Sequence, residues 1–177
     1  ELAELLKRQL AAGLNCPLSS GMGRLFDGAA AILGIKSRCS YEGQGAILLE
    51  AAAIEDGGLY PLSFEGEPFR FDWRPMIRAM VADMSSGVET GRCAARFMNT
   101  LVELAAAQCL RAREISGLER VVLSGGSFQN MYIMERLPER LRAEGFEVYH
   151  HSRVSTNDEG LALGQIMIAI NSLTKQS

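Results

Sequence analysis

The last third of the chain places the strongest constraint on the fold, because two short apolar runs alternate there with two helical patterns. Residues 118–123 form the first apolar run, and Ser-Gly-Gly-Ser follows it at 124–127. A helical pattern covers residues 129–144, residues 146–150 alternate like a second strand, and a last helical pattern covers residues 157–173. Strand, helix, strand and helix at these lengths predict a parallel β-α-β-α unit with a right-handed crossover.

The preceding two thirds of the chain predict mainly helices. Apolar residues recur at helical spacing in segments 2–12, 24–34, 44–54, 73–84 and 90–115. Segment 90–115 is the longest, and we expect it to be the main helix packed on a sheet. Residues 59–71 alternate around a turn at 65–68 and predict a hairpin. The expected fold class is therefore α/β, helix-rich with a small mixed sheet.

Composition limits the partners of the chain. Eighteen basic and twenty-one acidic side chains give a net charge of −3 over 177 residues, and the charges are dispersed. This balance disfavours a nucleic-acid or anionic-membrane surface, and no stretch approaches the ~20 apolar residues that a membrane span needs. The four cysteines include no CxxC pair, which favours reduced thiols and a cytoplasmic protein. Because the chain enters a helical pattern directly at Glu1, we interpret it as a piece of a longer protein.

The glycine pair after the first predicted strand is the sharpest local signal. Gly125 and Gly126 would let backbone N–H groups approach an anion at the start of the next helix, as in a phosphate site. The same pair also suits a tight strand-to-helix turn that binds nothing, and the local sequence does not separate the two interpretations. It matches neither the GxGxxG nor the GxxxxGK[ST] pattern.

Acidic and histidine residues supply further candidates, each with a structural alternative. Asp158 precedes the last helix and could hold a metal ion, or it and Asn157 could cap that helix. Asp27 lies among small and apolar residues, where a carboxylate faces solvent or accepts hydrogen bonds from a ligand. His150 and His151 are adjacent on a predicted strand, so they face opposite sides and do not bind one ion together. No grouping of Ser, His and Asp is evident, so no catalytic residue is assigned.

Four motifs carry a family resemblance. They are SSGMGRLFD at 19–27, SYEGQ at 40–44, LSGGSFQN at 123–130 and NDEGLALGQ at 157–165. In this order they resemble the C-terminal part of the HypF family, the carbamoyltransferases of nickel–iron hydrogenase maturation. The resemblance covers essentially the whole chain.

This resemblance implies a fold and an activity. The fold would be the C-terminal lobe of the acetate and sugar kinase, Hsp70 and actin (ASKHA) type, which is ribonuclease H-like. Residues 1–177 would be a single lobe of a Kae1-like carbamoyltransferase domain, without the N-terminal lobe and the upstream HypF domains. The family makes carbamoyl-adenylate from carbamoyl phosphate and ATP. It then transfers the carbamoyl group to the C-terminal cysteine thiol of HypE, on the route to the cyanide ligands of the hydrogenase.

The resemblance also implies which residues bind the adenylate. Gly125 and Gly126 would meet its phosphate through backbone amides, and Asn130 would contact the nucleoside. Asp27 and the loop formed by Glu42, Gly43 and Gln44 would hold the ribose.

Asp158 falls where the family has its metal-binding aspartate. The implied ion is divalent, with Fe, Zn and Mg all open, and it would polarise carbamoyl or phosphate oxygens. The family draws the other ligands from a His-x-x-x-His stretch in the preceding lobe, and this sequence contains no such stretch. The chain alone is therefore predicted to be catalytically incomplete.

Two alternatives remain open at this point. One is another nucleotide-dependent transferase on the same fold, either a kinase or a tRNA threonylcarbamoyltransferase. The other is a non-catalytic interaction lobe, whose exposed apolar surface a second copy would cover as a homodimer.

Overall fold

The computed structural model describes residues 2–66 and 69–174. Seven helices and four strands occur in that part of the chain, close to the predicted segments. In order they are α1 (Leu2–Ala11), α2 (Met22–Ile32), α3 (Gln44–Ala52), β1 (Phe64–Glu65), β2 (Arg70–Phe71), α4 (Arg74–Ser85), α5 (Thr90–Ser116), β3 (Arg120–Leu123), α6 (Met131–Ala143), β4 (Glu147–His150) and α7 (Leu161–Thr174). One-turn 3-10 helices, Gly126–Gln129 and Asp158–Gly160, precede α6 and α7.

The strands form two separate pairs. β3 and β4 are parallel, with Arg120 opposite Glu147 and Leu123 opposite His150, and α6 is the crossover between them. This confirms the β-α-β-α unit. β1 and β2 are antiparallel and confirm the hairpin, although Glu67 and Pro68 of its predicted turn lie outside the described residues. Within the described residues, the small mixed sheet is thus divided into one parallel and one antiparallel pair.

Helix α5 is the centre of the hydrophobic core. It packs chiefly against α3, α4 and α6, whereas the sequence pattern predicted packing on a sheet. The difference follows from length, because a helix of 27 residues extends about 40 Å while a strand of four residues extends about 13 Å. Its fully buried Phe97 meets Phe26 of α2 edge to face, with ring centroids 5.5 Å apart.

An ion-pair network fixes the segment between α3 and the hairpin to α5. The Arg96 guanidinium donates from Nε to Asp56 Oδ1 at 3.0 Å and from Nη2 to Asp56 Oδ2 at 3.2 Å. Its Nη1 also donates to Asp83 Oδ2 at 2.8 Å. The hydrogen bonds that Arg96 and the Gly58 amide donate to Asp56 hold the pKa of this carboxyl below its ordinary value. The segment around Asp56 is therefore held against α5 by ion pairs as well as by packing.

The first and last helices leave their apolar residues exposed. Neither α1 nor α7 contains a buried residue. The last predicted helix is present as α7, but its predicted apolar side is exposed, with Ile166 and Ile168 at 55% and 68%. The apolar pattern thus predicted α1 and α7 as helices, but it did not indicate that their apolar faces are exposed. No helix among the described residues is long and apolar enough to cross a membrane.

Candidate functional site

A cavity of about 720 Å³ lies between the two halves of the described fold. On one side its walls are α2, α3 and the loop before α3. On the other side they are the glycine turn after β3, the start of α6 and the turn before α7. The two turns follow the carboxyl ends of neighbouring parallel strands, which is where ligands usually bind in open α/β sheets.

The cavity brings together most of the residues singled out in the sequence. Six of the eight candidates line it, namely Asp27, Glu42, Gly43, Gly126, Asn130 and Asp158. Gln44 and Gly125 lie next to lining residues without lining the cavity themselves. Gln44 Oε1 accepts a hydrogen bond from the Ser40 amide at 2.7 Å, which orders the loop before α3. Motifs that are more than 90 residues apart in the sequence therefore meet at one site.

The backbone conformation of the turn at Gly125 and Gly126 explains why glycine is found there. Gly125 has φ +104°, a conformation that L side chains rarely adopt. Its amide donates to the Thr156 carbonyl oxygen at 2.7 Å, and this bond ties the turn to the loop after β4. A Cβ on Gly126 would meet nothing within 4 Å, so the backbone at that position is open. Gly125 thus serves the turn, while Gly126 is exposed to the cavity.

Asp27 is held at the cavity wall by a neighbour that the sequence analysis did not identify. Its Oδ2 pairs with Arg24 Nη2 at 3.0 Å, and its side chain is 27% exposed. On the other side, a Cβ on Gly45 would lie 2.8 Å from Asp27 Oδ1. The small residue inside α3 therefore lets α2 and α3 approach closely beside the carboxylate. A glycine inside an apolar helical pattern was the available signal, since close packing is a common reason for one.

Asn130 has a clear structural task. It is the N-cap of α6, and its Oδ1 accepts from the Ile133 amide at 3.0 Å. Its Nδ2 lies 3.6 Å from Met98 Sδ, and the residue is 7% exposed. Asn130 lines the cavity, but its side-chain amide is already engaged within the protein. Contact between this side chain and a nucleoside stays a prediction.

Glu50 is a lining residue that the sequence analysis missed. Its Oε1 accepts hydrogen bonds from the Met131 amide at 2.7 Å and from the Tyr132 amide at 3.3 Å. Helix α3 is thereby connected to the start of α6 across the cavity. A single acid near the end of an apolar helix is indistinguishable from an ordinary surface residue in the sequence. Only the contact across 81 positions identifies it.

The cavity wall is predominantly acidic. Its described lining includes the carboxylates of Asp27, Glu42, Glu50 and Asp158, against the single guanidinium of Arg24. An anionic ligand in this cavity therefore depends on backbone amides, on cations or on charges from outside the described residues.

A metal site is not complete within the described residues. They contain no group of three or more His, Cys, Asp or Glu side chains that could hold an ion. Asp158 is exposed at the cavity, and Asn157 caps its 3-10 turn by accepting from the Glu159 amide at 3.0 Å. His151 Nε2 lies 3.2 Å from Ser124 Oγ, and His150 Nδ1 lies 3.2 Å from the His151 carbonyl oxygen. Asp158 is therefore an exposed carboxylate at the cavity, without the further ligands that a complete ion site among the described residues would need.

Comparison with known proteins connects these motifs to one family. The family model described as "Carbamoyltransferase, Kae1-like Domain, second subdomain" matches residues 1–165. The carbamoyltransferase HypF of Synechocystis sp. is 35% identical, and the match covers 92% of this chain and 21% of that protein. The HypF of Rhodobacter capsulatus is 39% identical, with 93% of this chain and 21% of that protein covered. The chain therefore spans about a fifth of the length of these two relatives.

A solved structure shares the fold. The crystal structure of full-length HypF in the phosphate- and nucleotide-bound form is 37% identical to this chain, with a TM-score of 0.92. The match covers 97% of this chain and 23% of that one. These likenesses confirm both the fold class and the family resemblance predicted from the four motifs.

Proposed function

The chain belongs to the HypF carbamoyltransferase family, and on that premise we propose that it supplies one side of a nucleotide site for carbamoyl transfer. The observation that carries this proposal is the cavity, where residues from all four family motifs lie together at the carboxyl edge of a parallel strand pair. The bound species would be ATP or carbamoyl-adenylate.

The cavity residues suit an adenylate. Asp27 and Glu42 offer carboxylate oxygens that accept hydrogen bonds from ribose hydroxyl groups, with Gly43 and Gln44 shaping the loop beside them. The open backbone of Gly126, supported by the turn at Gly125, offers an amide donor to the phosphate. The volume of about 720 Å³ lies within the usual range of small-molecule sites, about 300–1,000 Å³.

The proposed reaction transfers the carbamoyl group to the C-terminal cysteine thiol of HypE. The thiol sulfur attacks the carbamoyl carbon and forms a C–S bond. The C–O bond to the phosphate breaks, AMP leaves with that electron pair, and the thiol proton passes to solvent. Carbamoyl phosphate would enter earlier, in the reaction that forms the adenylate. We propose HypE as the protein partner and the cytoplasm as the compartment of this reaction.

A divalent ion would fit at Asp158 only with ligands from outside the described residues. When bound, such an ion supplies Lewis-acid polarisation of an oxygen. The contribution of this chain is one carboxylate at the cavity edge, held in place by the Asn157 cap.

A transfer assay tests the proposal. The chain, extended at its N-terminus by the preceding lobe and upstream domains that the family resemblance implies, is incubated with ATP, carbamoyl phosphate and HypE. Mass spectrometry then follows the S-carbamoyl (thiocarbamate) group on the HypE cysteine. We expect Asp27→Ala to reduce this product at least tenfold, while Glu139→Ala, an exposed change on α6 outside the cavity, leaves it unchanged. Equal transfer by Asp27→Ala, or a product on tRNA rather than on HypE, would refute the proposal.

A further inference from the structure

Glu50 has a position in the cavity that the family motifs and the proposed reaction leave unexplained. It lies in the last turn of α3, partly buried, and its carboxylate reaches the first turn of α6. One oxygen, Oε1, accepts from both the Met131 and the Tyr132 amides, at 2.7 and 3.3 Å. The contact places a carboxylate at the positive end of the α6 dipole.

Together with Asn130, Glu50 satisfies the first three amides of α6. Asn130 Oδ1 accepts from the third amide, that of Ile133, at 3.0 Å. Free amides in the first turn of a helix are the backbone donors that most readily bind a phosphate group. In this chain they are already occupied by its own side chains. A nucleotide with its phosphate at this end of the cavity would have to displace a carboxylate.

The turn at Gly125 and Gly126 differs from the start of α6, where the amides are already bonded. The backbone at Gly126 has open space where a Cβ would be, and Gly126 lines the same cavity as Glu50. Among the described residues, no side-chain oxygen accepts from the Gly126 amide, in contrast to the Met131 and Tyr132 amides, which donate to Glu50. The two positions therefore differ in free backbone donors, because the first three amides of α6 are bonded to Glu50 and Asn130, and we take this difference to set the direction of a bound ligand.

We propose that Glu50 is a positioning residue that fixes the direction of the bound nucleotide. It closes the start of α6 to phosphate and leaves the turn at Gly125 and Gly126 as the phosphate end of the cavity. The inference rests on the proposed function, because it takes the cavity to be a nucleotide site.

Amide NMR on the full 177-residue chain tests the proposal with inorganic phosphate, adenosine and AMP as probes. In the wild type, phosphate leaves the Met131 and Tyr132 amides unshifted, and the shifts that AMP adds beyond adenosine are confined to the glycine turn. In Glu50→Ala, both phosphate and AMP shift the Met131 and Tyr132 amides. Glu139→Ala, an exposed change on α6, behaves like the wild type.

The conservative variant separates charge from structure. Glu50→Gln keeps an oxygen acceptor for the Met131 amide, so phosphate again leaves that amide unshifted. Because one negative charge is removed from the cavity wall, affinity for AMP relative to adenosine rises roughly fivefold. A merely structural Glu50 would change the affinities for AMP and adenosine equally. The Gln variant also carries the test if Glu50→Ala fails to fold.

Three results overturn the inference. They are AMP-specific shifts at Met131 and Tyr132 in the wild type, no response of these amides to phosphate in a folded Glu50→Ala, or an unchanged AMP-to-adenosine ratio in Glu50→Gln. A failure of the proposed function looks different. In that case neither adenosine nor AMP shifts any cavity amide of the wild type, while phosphate still shifts the α6 amides in Glu50→Ala only. That outcome would refute nucleotide binding in the cavity, but it would support the conclusion that Glu50 keeps phosphate from the start of α6.

Discussion

Replacement of Asp56 by Asn should weaken the attachment of the chain after α3 to the central helix α5. The change removes the negative charge of a carboxylate whose side chain is only 7% exposed. Arg96 donates two hydrogen bonds to this carboxylate, at 3.0 and 3.2 Å. The Asn oxygen still accepts from the Gly58 amide, which donates to Asp56 Oδ1 at 2.7 Å in the wild type. The loss is therefore mainly that of the charge-assisted bonds to Arg96.

We expect the free energy of unfolding to fall by about 2 kcal/mol, the scale of hydrogen bonds to a charged group. For a chain of this size that corresponds to a decrease in Tm of about 4–8 °C. Urea titration and thermal unfolding measure the two quantities. The matched control is Glu4→Gln, which removes the same charge from an exposed pair with Lys7 and should change stability by less than about 0.5 kcal/mol.

The pH dependence gives the same prediction an independent check. Arg96 lowers the pKa of Asp56 in the folded state, so the pair contributes its full stability above the unfolded value of about 3.9. That contribution is lost as the pH falls through the lower, folded pKa. The wild type should therefore exceed Asp56→Asn at pH 7, and the difference should shrink at pH 3 and below. Equal stability of the two proteins at pH 7, or a constant difference down to acid pH, would refute the reasoning.

Three further changes test other parts of the account. Asn130→Ala should lower the free energy of unfolding by about 1 kcal/mol through loss of the α6 cap, with Asn130→Asp close to the wild type in urea titrations; equal loss in both would contradict a capping role. Gly160→Ala places a Cβ 2.6 Å from the Ser155 carbonyl oxygen, so the turn carrying Asp158 must move. The expected result is amide shifts across 155–160 and lost metal dependence of nucleotide binding in the extended protein, and unshifted amides would contradict it. Ile168→Glu on α7 should leave unfolding within about 0.5 kcal/mol of the wild type and lower any self-association seen by light scattering, whereas strong destabilisation would show that this face is packed in the chain itself.

Local patterns were sufficient for the elements and for the position of the glycine turn. Period-2 and period-3.6 spacing predicted the parallel unit, and the glycine pair after a strand predicted a strand-to-helix turn, which in the structure borders the cavity. Both signals involve residues that are close in the sequence, so their physical basis is visible there.

Contacts between distant residues could not be predicted in the same way. Helix α5 packs on helices because the strand pair is too short to cover it, and strand length is only fixed once pairing is known. The link from Glu50 to Met131 depends on how α3 and α6 meet in space. The exposed apolar residues of α7 carry the same helical pattern that a buried face would show. The family motifs contained most of the candidate residues that line the cavity. The acidic character of the lining became visible only in the structure, because Glu50 comes from outside those motifs.

The central claim is that this chain supplies one side of a nucleotide and metal site. The most direct test is calorimetry of ATP binding, with and without a divalent ion, to the chain and to a version extended at its N-terminus by the preceding lobe that the family resemblance implies. The account predicts weak binding to the chain, with no effect of the ion, and tight, ion-dependent binding to the extended version. An absence of binding in both proteins, or equal and ion-independent affinity in both, would contradict it.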